Sequence, residues 1–591
     1  MKLDDLDIDE LSRGVCSKSN LYRVRNGERD INAVFFYHII RRLFLSPERF
    51  QIMIDSDEYA YFSWIYKVKS AISGKRFEEL SELASLDQEE ALHEFQPVVG
   101  YEMAAIHGAL FLEMQSYSQA AYKEFKKSVE YMLGDDRKLI PGRYGIDELN
   151  RYMNYLKLSV MTQHLTEEDV KAEFDRIHRI AELRNRDPRE EAKLYPRIVC
   201  FTLNTIGDEI PLEIQKEMVQ KALGCLRRTH ECYDLPELLR LLIDVGRELQ
   251  DPEISRYIHW YESICTAFKI AGYDTEFNWY DSHDGACQLY LIHEYLKRSR
   301  IGTKDKYGKI LSQEKASEFI MDPANYSRVE SGKYRPRRQH YEELTKRMGV
   351  RSDLYRGEII TDDPEIFSLL TESRRAANDS DAEKLDACLK LLSENLDKKY
   401  VENIQFLALT QLDLDEITGK ITLEETVQRL IDILEYTTPY QPDENHVFSY
   451  LEAELVYKIV RNKRYSGLLT DTDVLVLRGY LKSEEKSQAL FWERSFYIKR
   501  LLAGILQTRG DLDEAEKLST ECISDMLKVW DAGILTDCLD VLAESIVEKD
   551  RDYAETLVKA AFWLCDLYHD EDNKQAMSRY HFRVFGTGIE D

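Results

Sequence analysis

The stretch 311–336, LSQEKASEFIMDPANYSRVESGKYRP, contains two sets of helix-start signals in quick succession. Ser312 can accept a backbone hydrogen bond at a helix N-terminus, and Asp322 followed by Pro323 combines a capping residue with a proline at the first helical position. Gly332 favours the left-handed conformation that ends a helix. We therefore predict two short helices joined by a tight turn. The apolar face of the first helix is expected at Ala316, Phe319 and Ile320.

This pair of helices resembles the helix-turn-helix of the phage-repressor (Xre-type) family. That family's pattern is LSQ, then SRIE, then a glycine, a basic residue and a proline. The matching residues here are Leu311-Ser312-Gln313, Ser327-Arg328-Val329-Glu330, Gly332, Lys333 and Pro336. The resemblance implies a lambda-repressor-like fold whose second helix enters the major groove of double-stranded DNA.

A second copy of the pattern lies near the start of the chain. Subtracting 305 from each residue number aligns Leu6–Phe50 with Leu311–Tyr355 without a gap. Most of the shared residues fall on the second helix and on the glycine that ends it, so we predict a tandem duplication. The corresponding pairs are Ser12 and Ser317, Asn20 and Asn325, Arg23 and Arg328, Val24 and Val329, Gly27 and Gly332, and Arg42 and Arg347.

The first copy departs from the family pattern. Ile8, Arg25 and Ile31 stand where the pattern has glutamine, glutamate and proline, and only residues 1–5 precede Leu6. In the family, a basic residue on a preceding helix pairs with that glutamate. Losing both partners together is coherent, because a lone buried carboxylate is costly. The first helix of this copy is therefore either missing or supplied by another part of the protein.

In the second copy, residues 286–310 precede the LSQ motif and are predicted to contain the first helix of the head. Ala286–Arg298 is predicted to form the first helix, with an apolar stripe of Leu289, Ile292 and Leu296. Ile301–Ile310 contains two glycines and three lysines and is predicted to be a basic loop.

The resemblance also assigns DNA-contacting residues. Arg328 could bind two guanine acceptors and Asn325 could bind adenine, while basic residues on either side would bind phosphates. The candidates in the second copy are Gln313, Pro323, Ala324, Asn325, Ser327, Arg328, Lys333, Arg335, Arg337 and Arg338. Those in the first copy are Lys18, Ser19, Asn20, Tyr22 and Arg23. The alternative is a domain that is retained only as packing between helical arrays.

Paired amphipathic helices fill most of the remaining chain. In 105–132 and in 501–522, small residues recur where two antiparallel helices would touch, as in tetratricopeptide repeats. The predicted fold class is all-α, with two lambda-repressor-like helix-turn-helix units that are each followed by a tetratricopeptide-like α-solenoid. The predicted domains are head 1 (1–52), array 1 (53–285), head 2 (286–352) and array 2 (353–591).

A helix-turn-helix followed by such helices resembles the Rgg/PlcR/Rap (RRNPP) class of bacterial peptide-sensing, quorum-sensing proteins. The resemblance implies a concave helical surface that binds a short signalling peptide and changes how the DNA-binding heads sit. The candidates for lining that surface are Tyr152, Asn154, Tyr155 and Tyr450. Ordinary packing within and between repeats is the alternative for each of them.

The charge distribution restricts DNA binding to part of the chain. The 591 residues carry a net charge of −28, which opposes general nucleic-acid binding. From residue 297 to 351, however, basic residues outnumber acidic ones by fifteen to seven, whereas from residue 1 to 50 the ratio is nine to eight. Head 2 therefore has the better electrostatic basis for binding phosphates.

Several features predict a cytoplasmic protein that does not contact a membrane. The acidic N-terminus lacks the order of a signal peptide, and no uncharged apolar stretch of about 18 residues is present. The ten cysteines are scattered without a C-x-x-C pair, as expected of buried thiols in a reducing compartment.

Enzymatic chemistry has no support in the sequence. It contains no phosphate loop, nucleophile elbow or H-E-x-x-H helix. His283-Asp284 and His569-Asp570 are isolated pairs without a third metal ligand. We therefore expect no catalytic site, no cofactor and no metal.

Two hypotheses follow. The first is a bacterial transcriptional regulator that binds double-stranded DNA and is controlled by a peptide or another ligand in its helical repeats. It would act as a homodimer or as an intramolecular pseudo-dimer. The second is a Rap-like interaction protein that captures a protein partner and has lost DNA binding.

Overall fold

A computed structural model describes residues 7–85, 92, 94–96, 98–134, 143–182, 187–280, 288–304, 307–361, 363–441, 445–490 and 495–589. Over these residues the chain is almost entirely helical, with four short strands, and the predicted all-α class is confirmed. None of the helices described is long and apolar enough to cross a membrane. The predicted features at His283, Asp284, Ala286 and Cys287 lie outside the described residues.

Short loops join most of the helices in the first half of the chain. In order they are α1 Ile8–Ser12, α2 Lys18–Arg25, α3 Ala33–Arg42, α4 Ser56–Ser73, α5 Phe77–Ser85, α6 Val98–Gln115, α7 Ser118–Leu133, α8 Ile146–Met161, α9 Glu167–Ala181, α10 Pro188–Ile206, α11 Leu212–Thr229, α12 Leu235–Glu248 and α13 Ile254–Ala271. Single 3-10 turns occupy Pro47–Arg49 and Gly207–Glu209.

The second half of the chain continues in the same way. Its helices are α14 Ile292–Gly302, α15 Gln313–Ser317, α16 Pro323–Glu330, α17 Arg338–Met348, α18 Pro364–Asn378, α19 Ala382–Asn395, α20 Val401–Ile417, α21 Leu423–Leu434, α22 Tyr450–Tyr465, α23 Asp471–Ser487, α24 Ser495–Arg509, α25 Leu512–Lys528, α26 Leu535–Ile546, α27 Arg551–Tyr568 and α28 Glu571–Phe585. The strands are β1 Gln51–Ile54, β2 Gln288–Leu291, β3 Tyr355–Arg356 and β4 Gln488–Leu490.

Small residues allow neighbouring helices to approach closely. A Cβ atom on Gly108 of α6 would lie 2.6 Å from the ring of Phe125 on α7. Ser128 of α7 donates a hydrogen bond to the carbonyl of Tyr101 on α6, at 2.8 Å. The small residues of 105–132 therefore lie at a helix–helix contact, as predicted from the sequence.

Spatial contacts group the chain into two compact units. Within the described residues, unit 1 is built from 48–59 and from those of 288–505, and unit 2 from 7–47 and from those of 60–280 and 506–589. These units follow three-dimensional contacts, whereas the four predicted domains follow the sequence repeat. The four-domain division stays a prediction.

Unit 1 contains a small mixed sheet with the strand order β3-β1-β2-β4. Strand β1 pairs in parallel with β2, from Gln51 opposite Gln288 to Ile54 opposite Leu291. The helix predicted to begin at Ala286 therefore begins only at Ile292. Residues 288–291 form a strand instead of the first turns of a helix, because their backbone groups hydrogen-bond to β1, which is distant in the sequence.

The hydrophobic core of unit 1 contains residues from distant parts of the chain. Met53 of β1 and Tyr290 of β2 lie in one buried cluster with Leu296, Val329 and Leu344 of head 2. The segment that follows head 1 in the sequence is thus part of the core that supports head 2.

In unit 2, the last helices of the chain pack against α13. The buried carboxylate of Asp566 on α27 accepts hydrogen bonds from Arg256 at 2.6 Å, Trp260 at 2.8 Å and Lys574 at 2.6 Å. Unit 2 therefore joins helices from the predicted arrays 1 and 2 in one core.

Candidate nucleic-acid interface

The helix boundaries in head 2 are set by the residues that the sequence indicated. Ser312 accepts a hydrogen bond from the backbone N–H of Lys315 at 3.3 Å, and Asp322 accepts one from that of Ala324 at 2.8 Å. Gly332 follows α16 with φ of +72°. Capping side chains and a left-handed glycine stop therefore produce two short helices joined by a turn.

Phe319 does not lie where the sequence predicted. Helix α15 ends at Ser317, and Phe319 lies in the turn with φ of +62° and 96% of its surface exposed. The corresponding residue in head 1 is Gly14, with φ of +69°. The turn therefore needs a left-handed residue at this position, which keeps Phe319 off the apolar face of α15.

A buried carboxylate connects three helices of head 2. Glu330 on α16 accepts two hydrogen bonds from Arg300 on α14, at 2.6 and 3.0 Å, and one from the side-chain amide of Gln313 on α15, at 2.6 Å. The hydrogen bonds to Glu330 raise the pKa of Arg300, so the guanidinium stays charged. The Gln313 amide, which was predicted to bind phosphate, is used within the protein.

The remaining side chains of α16 divide cleanly into two faces. Tyr326, Val329 and Glu330 are buried. The predicted DNA-contacting residues are exposed, and they are Pro323, Ala324, Asn325, Ser327 and Arg328. Within the described residues, the Arg328 guanidinium forms no ion pair. The exposed face thus presents an amide, a hydroxyl and a guanidinium on a rigidly held helix.

The basic residues that follow α16 have different environments. Arg335 forms an ion pair with Asp55 at 2.5 Å and lies 3.8 Å from Glu58, both from the segment after head 1. Arg338 pairs with Glu342 at 2.6 Å. The other two predicted phosphate ligands, Lys333 and Arg337, are exposed, and the structure has no ion pair to either among its described residues.

The equivalent helix of head 1, α2, is also exposed, but several of its polar side chains have local partners. Lys18 forms an ion pair with Asp9 at 2.7 Å. The amide oxygen of Asn20 accepts a hydrogen bond from Arg29 at 3.2 Å. The guanidinium of Arg25, which replaces the family's buried glutamate, lies 4.8 Å from the centroid of the Tyr22 ring. Ser19 and Arg23 are exposed.

The two heads share one distinctive set of hydrogen bonds. An arginine on the helix after each glycine stop donates to three carbonyls at the end of the first short helix. Arg42 donates to the carbonyls of Glu10, Leu11 and Arg13, and Arg347 donates to those of Lys315, Ala316 and Glu318. Every pair of equivalent residues differs by 305 in number.

Head 1 is supported by array 1. Arg42 forms a buried ion pair with Glu148 of α8 at 2.7 Å, and Arg41 forms one with Asp147 at 2.7 Å. A Cβ atom on Gly14 would lie 2.8 Å from the carbonyl oxygen of Tyr131. Array 1 therefore packs directly against head 1, and whether it supplies the first helix of this copy stays a prediction.

The four candidate peptide contacts are largely internal. Tyr152 is buried and donates to Glu173 at 2.8 Å, while Tyr155 is buried against the ring of Tyr122. Asn154 is buried and donates to the carbonyl of Trp279 at 2.8 Å. In unit 1, Tyr450 is half-buried at the start of α22. Tyr152 and Tyr155 are therefore packed within array 1, whereas Asn154 binds the backbone of a neighbouring segment, and a role in peptide binding stays a prediction for all four.

Fold and surface together define an all-helical protein in which short helix pairs with exposed polar faces are joined to long runs of packed helices. No protein-family model matches the sequence, and a comparison with curated proteins finds no match. Several solved structures of helical proteins resemble about half of the chain.

One is PlcR of Bacillus thuringiensis in complex with the peptide PapR7 and DNA, at 16% identity and a TM-score of 0.32, covering 48% of this chain and 98% of that one. Another is the SHP pheromone receptor Rgg2 of Streptococcus dysgalactiae, at 16% identity and a TM-score of 0.25, covering 49% and 98%. A third is ComR from S. thermophilus with DNA and its signalling peptide ComS, at 11% identity and a TM-score of 0.30, covering 50% and 99%.

Proposed function

We propose that this chain is a bacterial transcriptional regulator that binds a specific DNA sequence through head 2. The observation that carries the proposal is the exposed face of α16, where Asn325 and Arg328 project from a helix fixed by the buried Glu330–Arg300 pair. An amide and a guanidinium are the groups that recognise adenine and guanine edges. Lys333 and Arg337 would bind phosphates, whereas Arg335 is engaged with Asp55.

We further propose that the chain is a tandem duplication in which head 1 has an accessory role. The matched hydrogen bonds of Arg42 and Arg347 support the duplication. Head 1 has less local positive charge than head 2, and Lys18 and Asn20 already have partners. Head 1 would therefore contribute little binding energy, and a palindromic site would require two chains.

Selection of genomic DNA on the purified full chain tests the proposal. A common sequence should be enriched, and its affinity should fall steeply as salt rises, because phosphate contacts release counterions. A variant with Lys333→Ala and Arg337→Ala should have a shallower salt dependence, while Lys390→Ala with Lys517→Ala, two lysines on array helices, provides the matched control. No enrichment, or binding that does not respond to salt, would contradict the proposal.

The runner-up function is that of a Rap-like protein that captures a protein partner. The specific observation in its favour is Phe319, a large apolar side chain that is 96% exposed at the turn of head 2. Partner capture through an apolar side chain would be insensitive to salt and would be lost in Phe319→Ser. DNA binding with the properties described above would instead be retained by that variant.

A further inference from the structure

A non-helical segment after α13 is bound along its backbone by side chains of array 1. Three consecutive carbonyls are involved. Tyr280 accepts hydrogen bonds from Asn150 at 3.2 Å and Arg151 at 3.5 Å, Trp279 accepts one from Asn154 at 2.8 Å, and Asn278 accepts one from Arg197. Hydrogen bonds to main-chain carbonyls do not depend on side-chain identity, and receptors use them to hold extended peptides.

The donor groups are well placed for this task. Asn150 and Asn154 lie one turn apart on α8, so that their amides point to the same side. Arg197 on α10 is held by the amide oxygen of Asn150 at 3.1 Å and by Asp234 at 3.0 Å. Because all four donors, Arg151 included, are fully or almost fully buried, each would lose a hydrogen bond if the segment left and nothing replaced it.

The aromatic side chains of the segment occupy distinct positions. Phe277 and Trp279 both pack edge-to-face on Phe201 of α10, with ring centroids 5.6 and 5.0 Å away. The ammonium group of Lys157 lies 3.1 Å from the centroid of the Trp279 ring, and burial lowers the pKa of Lys157 to about 8. Tyr280 donates a hydrogen bond to Glu113 at 2.7 Å. Alternate aromatic residues thus provide the selective part of the interaction.

We propose that array 1 is a peptide-binding groove that holds residues 277–280 of its own chain as an internal ligand. A separate peptide with aromatic residues at alternate positions would compete for the same donors. The inference deepens the proposed function, because it names the chemistry of the peptide, and its regulatory meaning rests on that function. The tethered segment has an effective concentration in the millimolar range, so an added peptide binds the intact chain weakly.

The first test measures binding of a fluorescein-labelled peptide, DTEFNWY, by fluorescence anisotropy. Its sequence is that of residues 274–280. A full-length double variant, Phe277→Ser with Trp279→Ser, releases the internal ligand and should bind the peptide at least 10-fold more tightly than the unchanged chain. Adding Asn154→Leu should remove that gain, and the control peptide DTESNSY should not bind. Equal binding by the double variant and the unchanged chain overturns the proposal.

The second test uses single variants that keep the segment's aromatic residues. Hydrogen exchange of the backbone amides in 277–280 should become at least 10-fold faster in Asn154→Leu. The control is Asn204→Leu on α10, whose amide donates to the carbonyl of Cys200 and to Glu237 and has no hydrogen bond to the segment among the described residues. Equal exchange in the two variants overturns the proposal even if the double variant fails to fold. Neither test contains DNA, so their failure is distinct from failure of DNA binding.

Discussion

A single buried carboxylate, that of Glu330, links the three helices of head 2 that surround it. Both of its carboxylate oxygens accept hydrogen bonds, and the donors come from the two other helices, α14 and α15. Removing such a carboxylate would leave the Arg300 guanidinium uncompensated, which costs about 3–5 kcal/mol for buried pairs. In head 1 the equivalent Arg25 is exposed, and its guanidinium lies over the Tyr22 ring instead of contacting a second helix of that head among the described residues.

Two glycines of head 2 allow the effect of backbone conformation on stability to be distinguished from the effect of packing. Gly332 and Gly349 have φ of +72° and +69°, but only Gly332 has neighbours where a Cβ would lie, the Ser56 hydroxyl at 3.0 Å and the His293 ring at 3.2 Å. Gly349→Ala should cost about 1 kcal/mol through the left-handed conformation alone. Gly332→Ala should lower the free energy of unfolding by about 2 kcal/mol, because crowding of the new Cβ adds to the conformational cost. Urea unfolding of both variants measures the difference, and equal costs would contradict the packing around Gly332.

At the scale of elements, the sequence predicts the features that depend on nearby residues well and those that depend on distant residues poorly. The starts of α15 and α16 follow from Ser312 and Asp322, whose effects extend over only a few residues. Strand β2 could not be predicted, because its partner β1 is distant in the sequence. The sequence placed Phe319 on the apolar face of α15 because helical spacing was extended past the end of that helix, whereas Phe319 is exposed in the turn. For the proposed groove of array 1, the sequence offers two asparagines spaced by one helical turn, Asn150 and Asn154.

The duplicated arginines allow a matched comparison of the two heads. Arg42 is buried and its ion pair with Glu148 is buried too, whereas Arg347 is exposed and, within the part of the chain that the structure describes, donates to carbonyls alone. Arg42→Met should therefore destabilise the protein by about 3–5 kcal/mol. Arg347→Met should cost about 1–2 kcal/mol, for the loss of carbonyl hydrogen bonds. Chemical denaturation measures both.

A double variant provides the control for this comparison. Glu148→Gln added to Arg42→Met removes the unpaired buried charge and should recover part of the lost stability. If Arg42→Met and Arg347→Met are equally destabilising, array 1 does not support head 1 through this ion pair.

At the scale of the whole molecule, the charge is distributed unevenly. The chain carries a net charge of −28, yet residues 297–351 contain fifteen basic and seven acidic residues. An acidic protein with one basic region is attracted to DNA only through that region and is repelled elsewhere. We therefore propose that head 2 binds DNA, that array 1 binds the ligand and that head 1 has a supporting role.

The most direct measurement is a titration of the selected DNA site with the full chain and with two variants, Arg328→Ala and Arg23→Ala, in the same salt. Arg328→Ala should weaken specific binding by about 1–3 kcal/mol while non-specific binding falls much less. Arg23→Ala should change specific binding by less than about 0.5 kcal/mol. If Arg328→Ala leaves specific binding unchanged, or if Arg23→Ala weakens it as much, the claim that head 2 is the DNA-recognising part of the protein is wrong.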